Sequence, residues 1–325
     1  MRLAAAGLSA TSACINMLSY TVKKEEDGLL LRTLLRERLG LSHRALVELK
    51  AREDGILLNG QRVTVRAVLR ENDRIQLHTE DTREDVNEAI LPLPLPVSVL
   101  YEDEDICLAE KPSGMPTHPS YRHREDTLAN ALAYYYRGRP FVFRAITRLD
   151  RETDGLTLLA LHKTAAHALS LSLQRGEIRK EYWALVHGKT PAQGEIRKKI
   201  RREDASVIKR CTVPDEEEGD EALTRFYTFG EKGGISLVRV FPETGRTHQI
   251  RVHMASLGHP LLGDTMYGAP SGVFPRVALH AARLSFPHPT TGEPLSFLSP
   301  LAPDMQEAAE ALGFSLEAFS AFCKE

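Results

Sequence analysis

Residues 79–97 constrain the chain more than any other stretch. They read T-E-D-T-R-E-D-V-N-E-A-I-L-P-L-P-L-P-V, acidic at first and then alternating Pro92, Pro94 and Pro96 with leucine and valine. Alternating prolines fix φ, remove backbone donors and favour an extended, semi-stiff path over a packed element. The segment is therefore read as a linker. It separates a small domain at 17–78 from a larger one at 98–310, with 311–325 as a C-terminal helix or tail. A length of 325 residues suits this division, since one domain typically takes ~150.

In the small domain, Leu31, Leu34, Leu35 and Leu39 recur at helical spacing with arginines on the other side. Gly40 is placed to cap that helix, and Ser42 to start a second one running to about Lys50. The following I-L-L-N-G-Q-R-V puts Asn59-Gly60, a strong hairpin signal, between strand-forming residues. A helix pair and a small sheet of this size can fold alone.

Overall charge names no partner: 42 Lys and Arg face 44 Asp and Glu, for a net charge of −2. Two local patches are basic. Residues 32–70 hold nine basic and four acidic side chains, and 175–210 hold eleven and five. Such patches suit phosphate, although solvated helix faces carry similar charge. The acidic run D-E-E-E-G-D-E at 215–221 is read as a solvated loop. Apolar residues at 42% and charged ones at 26% exclude disorder and rod-like repeats. Cys14, Cys107, Cys211 and Cys323 are far apart and form no C-x-x-C pair, so a reducing cytoplasm is expected rather than a disulfide framework. Without a long apolar run, no membrane span is expected. Residues 1–16 make a poor signal peptide. They are expected to be a disordered or mis-annotated leader ahead of a start at Met17.

The larger domain alternates strand-like runs (Val99-Leu100, Ile106–Leu108, Leu156–Leu161, Tyr182–Val186, Ser236–Val240) with helical ones (Thr127–Tyr136, Thr164–Gln174). Mixed order with short connections predicts an α+β fold.

Its chemistry concentrates in R-L-D-R-E-T-D-G-L, Arg148 to Leu156. Asp150, Glu152, Asp154 and Gly155 imitate the start of a calcium loop, but the twelfth position is Leu161 instead of a bidentate glutamate. A paired-carboxylate glycosidase fits poorly, because alternate residues of an extended segment face opposite ways. What remains is one inward carboxylate flanked by arginines, which suits either a structural ion pair or an oriented nucleophile. A second cluster places Arg246, His248, Gln249, Arg251 and His253 within eight residues. The two histidines are five apart, the wrong spacing for two metal ligands on one helical face. Multiple donors suit a phosphate or a base edge better.

Together these segments resemble the RluA-like pseudouridine synthases. That family orders a K-P-x-G segment, a motif around R-L-D, K-x-Y and G-R-x-H-Q-I/L-R. Here these stand as Lys111-Pro112-Ser113-Gly114, Arg148-Leu149-Asp150, Lys180-Glu181-Tyr182 and Gly245 to Arg251, followed by G-H-P-L-L-G-D and L-H-A-A-R-L. The likeness covers roughly 98–300, and residues 29–78 resemble the small α-L RNA-binding domain. The sequence departs at Thr147, where the family usually has histidine, and at Asp154, where T-S-G-L is usual; the latter is expected to put extra negative charge beside the RNA cleft.

The resemblance implies isomerisation of uridine in RNA without metal or organic cofactor. Asp150 would be the catalytic carboxylate, paired with Arg251. Tyr182 would stack on the target base with its hydroxyl near a proton-transfer position, and Arg148 would fill the gap left by the extruded uridine. Lys111, Lys180, Arg246, His248 and Gln249, with Arg36, Arg44, Lys50 and Arg62 of the small domain, would contact RNA. The expected substrate is large-subunit ribosomal RNA, with transfer RNA as the alternative, and the expected state is a monomer. Two rivals stay open: a catalytically idle RNA-binding or ribosome-assembly protein, and a metal-dependent hydrolase built on the histidine cluster.

Overall fold

The computed structural model describes residues 17–39, 41, 43–78, 85–204, 208–268 and 274–324. The leader at 1–16, Gly40, Ser42 and residues 79–84 of the linker lie outside the described residues, as does the side chain of Arg44.

The N-terminal unit orders β1 (Met17–Thr21), α1 (Leu31–Thr33), a π-wound continuation (Leu34–Arg38), α2 (His43–Ala51), β2 (Ile56–Leu58), β3 (Gln61–Arg62) and β4 (Arg74–His78). Its sheet runs β1-β4-β2-β3, and Leu31, Leu34, Leu35, Leu46, Leu49, Ile75 and Leu77 form its core. The π winding was not evident from the sequence. A widened turn keeps Leu34 and Leu35 inside while Arg36, Glu37 and Arg38 all face out. Asn59 and Gly60 both take positive φ, 52° and 79°, as a tight hairpin turn requires.

The second unit is α+β and centres on one sheet that counts nine strands among the described residues. In chain order its elements are β5 (Ser98–Glu102), β6 (Ile106–Lys111), α3 (Leu128–Tyr135), β7 (Asp154–Ala160), α4 (Lys163–Gln174), β8 (Arg179–His187) and β9 (Gln193–Arg197). There follow β10 (Lys199–Arg202), β11 (Arg210–Val213), β12 (Leu223–Lys232), β13 (Ile235–Pro242), α5 (Gln249–Ser256), β14 (Leu279–Pro287), β15 (Pro294–Leu298), α6 (Pro303–Ala311) and α7 (Leu316–Phe322). The sheet order is β5-β6-β7-β14-β8-β13-β12-β9, with β15 on β14 and the β10–β11 hairpin apart. All seven residues of β7 are buried, which explains its continuous apolar run. The β7–β14 pairing is parallel, through His280↔Asp154 and Ala281↔Gly155. Gly155 is required there: its φ is 103°, and a Cβ would come within 2.3 Å of the Ala281 carbonyl oxygen.

Side chains of β8 alternate between two cores. Tyr182, Ala184 and Val186 pack with Ile250 and Met254 of α5, whereas Trp183 and Leu185 pack with Met305 of α6 and Phe319 of α7. The proline segment is attached along much of its length. Leu93 donates its N–H to the Asn130 carbonyl, the Asn130 amide donates to Leu91 O at 2.9 Å, and Leu95 and Val97 join the core under α3. Leu95 and Val97 find apolar partners, so this half of the expected linker packs as part of the second unit.

Candidate active site

A cleft of about 530 Å³ opens between the loop entering β7 and the loop entering α5. The R-L-D segment lies on the first loop and is braced from two sides. Thr147 Oγ1 accepts the Leu158 N–H at 2.9 Å, tying the loop to β7. Thr117 donates its hydroxyl to Leu149 O at 2.9 Å and accepts the Leu149 N–H at 3.1 Å. Leu149 is buried in the core, and alternation turns Arg148 and Asp150 to the cleft. Thr147, where histidine was expected, thus serves the strand and leaves the carboxylate in place.

Arg251, on the first turn of α5, stands 3.7 Å from Asp150 through Nη1. Its stronger partner is Asp264, which accepts Nε at 2.7 Å and Nη2 at 2.8 Å and is fully buried. Asp264 also accepts the N–H groups of Met266 and Tyr267. The Tyr267 ring lies under the Arg251 guanidinium, 5.2 Å from it. The Tyr267 hydroxyl accepts the Arg210 N–H and bonds His248 Nδ1 at 2.9 Å. Sequence reasoning missed Asp264 and Tyr267, although the G-H-P-L-L-G-D tail carried the first of them.

Tyr182 borders the cleft from β8. Burial first, and the Asp150 charge second, push its phenol well above the ordinary range, so it keeps its proton at neutral pH. Lys180 lines the same wall and donates to Thr244 O at 3.0 Å; burial lowers its pKa. Arg148 reaches across the cleft to the Thr247 hydroxyl at 2.9 Å. His248, in the left-handed region at φ 57°, precedes α5. Burial is the main cause of its lowered pKa.

Two expected RNA contacts are placed differently, and a third lies outside the described side chains. Lys111 is 1% exposed, and its ammonium donates to Pro112 O, Met115 O and Arg151 O at 2.7–3.1 Å. Burial brings its pKa down to about 7 against the nearby Asp154, Asp150 and Glu152. With its donors taken by these carbonyls, it braces the loop that carries Asp150. Gln249 is also buried: its oxygen accepts from Thr244 and the Arg246 N–H, and its amide donates to Leu223 O and Thr224 Oγ1. Arg44 cannot be placed, its side chain lying outside the described residues. Arg36, Lys50 and Arg62 are exposed on the N-terminal unit.

Asp154 also differs from expectation. It faces away from the cleft, into a network where Arg276 bonds it at 3.1 and 3.3 Å, forks onto Asp304 at 2.6 and 2.7 Å, and His280 lies 3.2 Å away. Its charge is matched on the side of the loop away from the cleft.

The histidine cluster does not make a metal centre. His253 is buried with Nδ1 on Thr224 Oγ1 and Nε2 on Lys198 O. Asp103, Asp105 and His288 come close enough to share an ion. Yet His288 Nδ1 accepts the N–H groups of Thr290 and Thr291, which puts the ring proton on Nε2 and turns it to Asp103. That nitrogen has no lone pair for a cation.

The family model for RNA pseudouridylate synthase matches residues 105–256, the span holding Asp150, Tyr182 and Arg251. The chain belongs to the RNA pseudouridine synthases, isomerases that act on RNA. It is 39% identical over 272 residues to the uncharacterized RNA pseudouridine synthase YjbO of Bacillus subtilis (strain 168), covering 83% of this chain and 94% of that one. It is 36% identical to ribosomal large subunit pseudouridine synthase D of Vibrio cholerae serotype O1 (strain ATCC 39315 / El Tor Inaba N16961), covering 79% and 78%. Among solved structures, human RNA pseudouridylate synthase domain containing 1 matches with a TM-score of 0.52 and 26% identity, over 68% of this chain and 96% of that one.

Proposed function

We propose that this enzyme isomerises specific uridines of large-subunit ribosomal RNA, with Asp150 as its catalytic carboxylate. The single observation carrying the reading is the half-exposed Asp150 carboxylate in a cleft it shares with the Arg251 guanidinium, beside the Tyr182 ring. The ribosomal substrate is supported by the similarity to the Vibrio enzymes named for that RNA. A target inside a stem must be flipped out, at a cost of a few kcal/mol, or lie in a loop. Tyr182 would stack on the uracil, and Lys180, Arg246 and Arg148 would meet phosphates at the rim. Arg148 would exchange Thr247 for RNA as the uridine leaves its stack.

The N1–C1′ bond breaks, the uracil turns, and C5 bonds C1′; C5 gives up its proton and N1 gains one, so no reagent is consumed. Asp150 acts on the ribose, by attack at C1′ or by taking the C2′ proton, and a substrate deuterated at C2′ slows only the second route. The exposed Arg36, Lys50 and Arg62 give the N-terminal unit an RNA-docking face. Cys107, Cys211 and Cys323 are free thiols, in keeping with work in the cytoplasm. No helix among the described residues is long and apolar enough to cross a membrane.

The test is pseudouridine mapping of total RNA from cells lacking the gene, complemented with wild type or Asp150→Asn. A uridine in large-subunit RNA modified only with wild type is the expected result. A modified site in transfer RNA would move the substrate. Unchanged maps, followed by purified enzyme binding RNA transcripts without turnover, would favour the idle fold.

A further inference from the structure

The acidic run at 215–221 is docked, not merely solvated. Ile200 and Asp220 exchange both backbone hydrogen bonds at 2.9 Å, so the run adds itself to the edge of β10. Gly219 lies so close that a Cβ there would sit 3.1 Å from Lys199 Cβ. This seat lays carboxylates and carbonyls along a row of cations. Lys199 donates to Asp215 O at 2.5 Å and to Glu217 O at 3.4 Å, with the Glu221 carboxylate 3.9 Å away. The Arg201 guanidinium holds Asp204 at 2.7 Å and lies 3.9 Å from Glu217 of the loop. The row ends in the cleft wall, where Arg246 donates Nε to Glu221 O at 3.1 Å and holds Asp220 at 3.5 Å from Nη1.

We propose that the loop Asp215–Glu221 mimics an RNA backbone, covering Arg246, Lys199 and Arg201 in the free enzyme so that only RNA engaging the cleft displaces it. The inference rests on the RNA-facing role given to Arg246 above. Exposed ion pairs of this kind are individually weak, too weak to close the site outright. Non-specific RNA, however, binds through phosphates alone and must compete with the loop for every cation. RNA that also seats a uridine has further contacts to offset the displacement. The loop thus acts as a repulsive element against wrong partners, which raises specificity without touching the substrate base.

The test neutralises the side chains and leaves the backbone bridge intact, with Asp220→Asn alone and with Glu217→Gln, Asp220→Asn and Glu221→Gln together. Binding of a short mixed-sequence RNA is followed by anisotropy across a salt series, in the wild-type and Arg246→Ala backgrounds. The triple variant is expected to bind about fivefold more tightly, from ~1 kcal/mol of released pairing. Its salt dependence should steepen by about one counterion. In the Arg246→Ala background the gain should fall below about twofold, as coupled contacts require. Unchanged affinity, or an equal gain in both backgrounds, overturns the mimic and leaves a solvated or generally repulsive loop. A wild-type enzyme that binds no RNA even at low salt removes the RNA-enzyme reading itself.

Discussion

The Arg251 guanidinium forks onto the Asp264 carboxylate at 2.7 and 2.8 Å, which leaves one corner, Nη1, turned to Asp150 at 3.7 Å. Asp264 therefore sets where positive charge stands beside the Asp150 carboxylate. Asp264→Asn leaves a buried guanidinium without its anchor and should cost about 3–5 kcal/mol in denaturant unfolding. With Arg251 free to swing onto Asp150, kcat should fall more than KM rises. Wild-type kcat in this variant would show that Asp150 needs no fixed arginine.

Lys111 and Arg246 separate bracing from RNA contact. Lys111→Met strands the buried Met115 carbonyl and the partly buried ones of Pro112 and Arg151 and should destabilise by about 2–3 kcal/mol, while the salt dependence of RNA binding stays at the wild-type value. Arg246→Ala should leave the melting temperature alone and reduce the salt slope by about one. A reduced slope in Lys111→Met would return that lysine to the RNA surface.

Asp154→Ser installs the residue that the family usually carries. Arg276 keeps its fork to Asp304 but loses a second carboxylate at a site where its side chain is only 9% exposed. A loss of about 1–3 kcal/mol in stability is expected, with KM and salt dependence unaltered. Tighter RNA binding in this variant would place the Asp154 charge in the RNA field after all.

Acid should loosen the fold partly through His253. Burial lowers its pKa from 6.5 to about 4. Between those values the unfolded chain binds a proton that the native one refuses, so stability is full above about pH 6.5 and drains as pH falls towards 4. The loss amounts to about 3 kcal/mol at ~1.4 kcal/mol per pKa unit. His253→Gln should flatten that part of the pH profile of unfolding, although His118, His167 and His248 shift the same way and keep some slope. An unchanged profile would show that His253 is not buried as described.

What the sequence revealed follows from range. Leu156–Leu161 read as a strand because burial on both faces of β7 leaves a mostly apolar run, and Asn59-Gly60 read as a turn because two positive φ angles need such residues. Direction was not legible. Lys111 and Gln249 are donor-rich in either setting, and only the fold shows that their partners are the protein's own carbonyls and hydroxyls. Asp154 was assigned to the cleft because its partner, Arg276, is distant in the chain. Asp264 was visible in a matched tail yet had no role until a turn brought it under α5. The proline segment read as free because local sequence cannot show that α3 offers a groove to Leu95 and Val97.

Strand order also sets a timetable. β14 lies between β7 and β8, so a segment made well over a hundred residues after Asp150 stands between the strand following Asp150 and the strand carrying Tyr182. At synthesis rates of about 5–20 residues per second, a nascent chain spends several seconds with both strands emerged and nothing joining them. During that interval the strand following Asp150 and the strand carrying Tyr182 do not yet share one sheet. The wall that joins the Asp150 loop to the Tyr182 strand is therefore completed only when β14, a late segment of the chain, slots into the sheet.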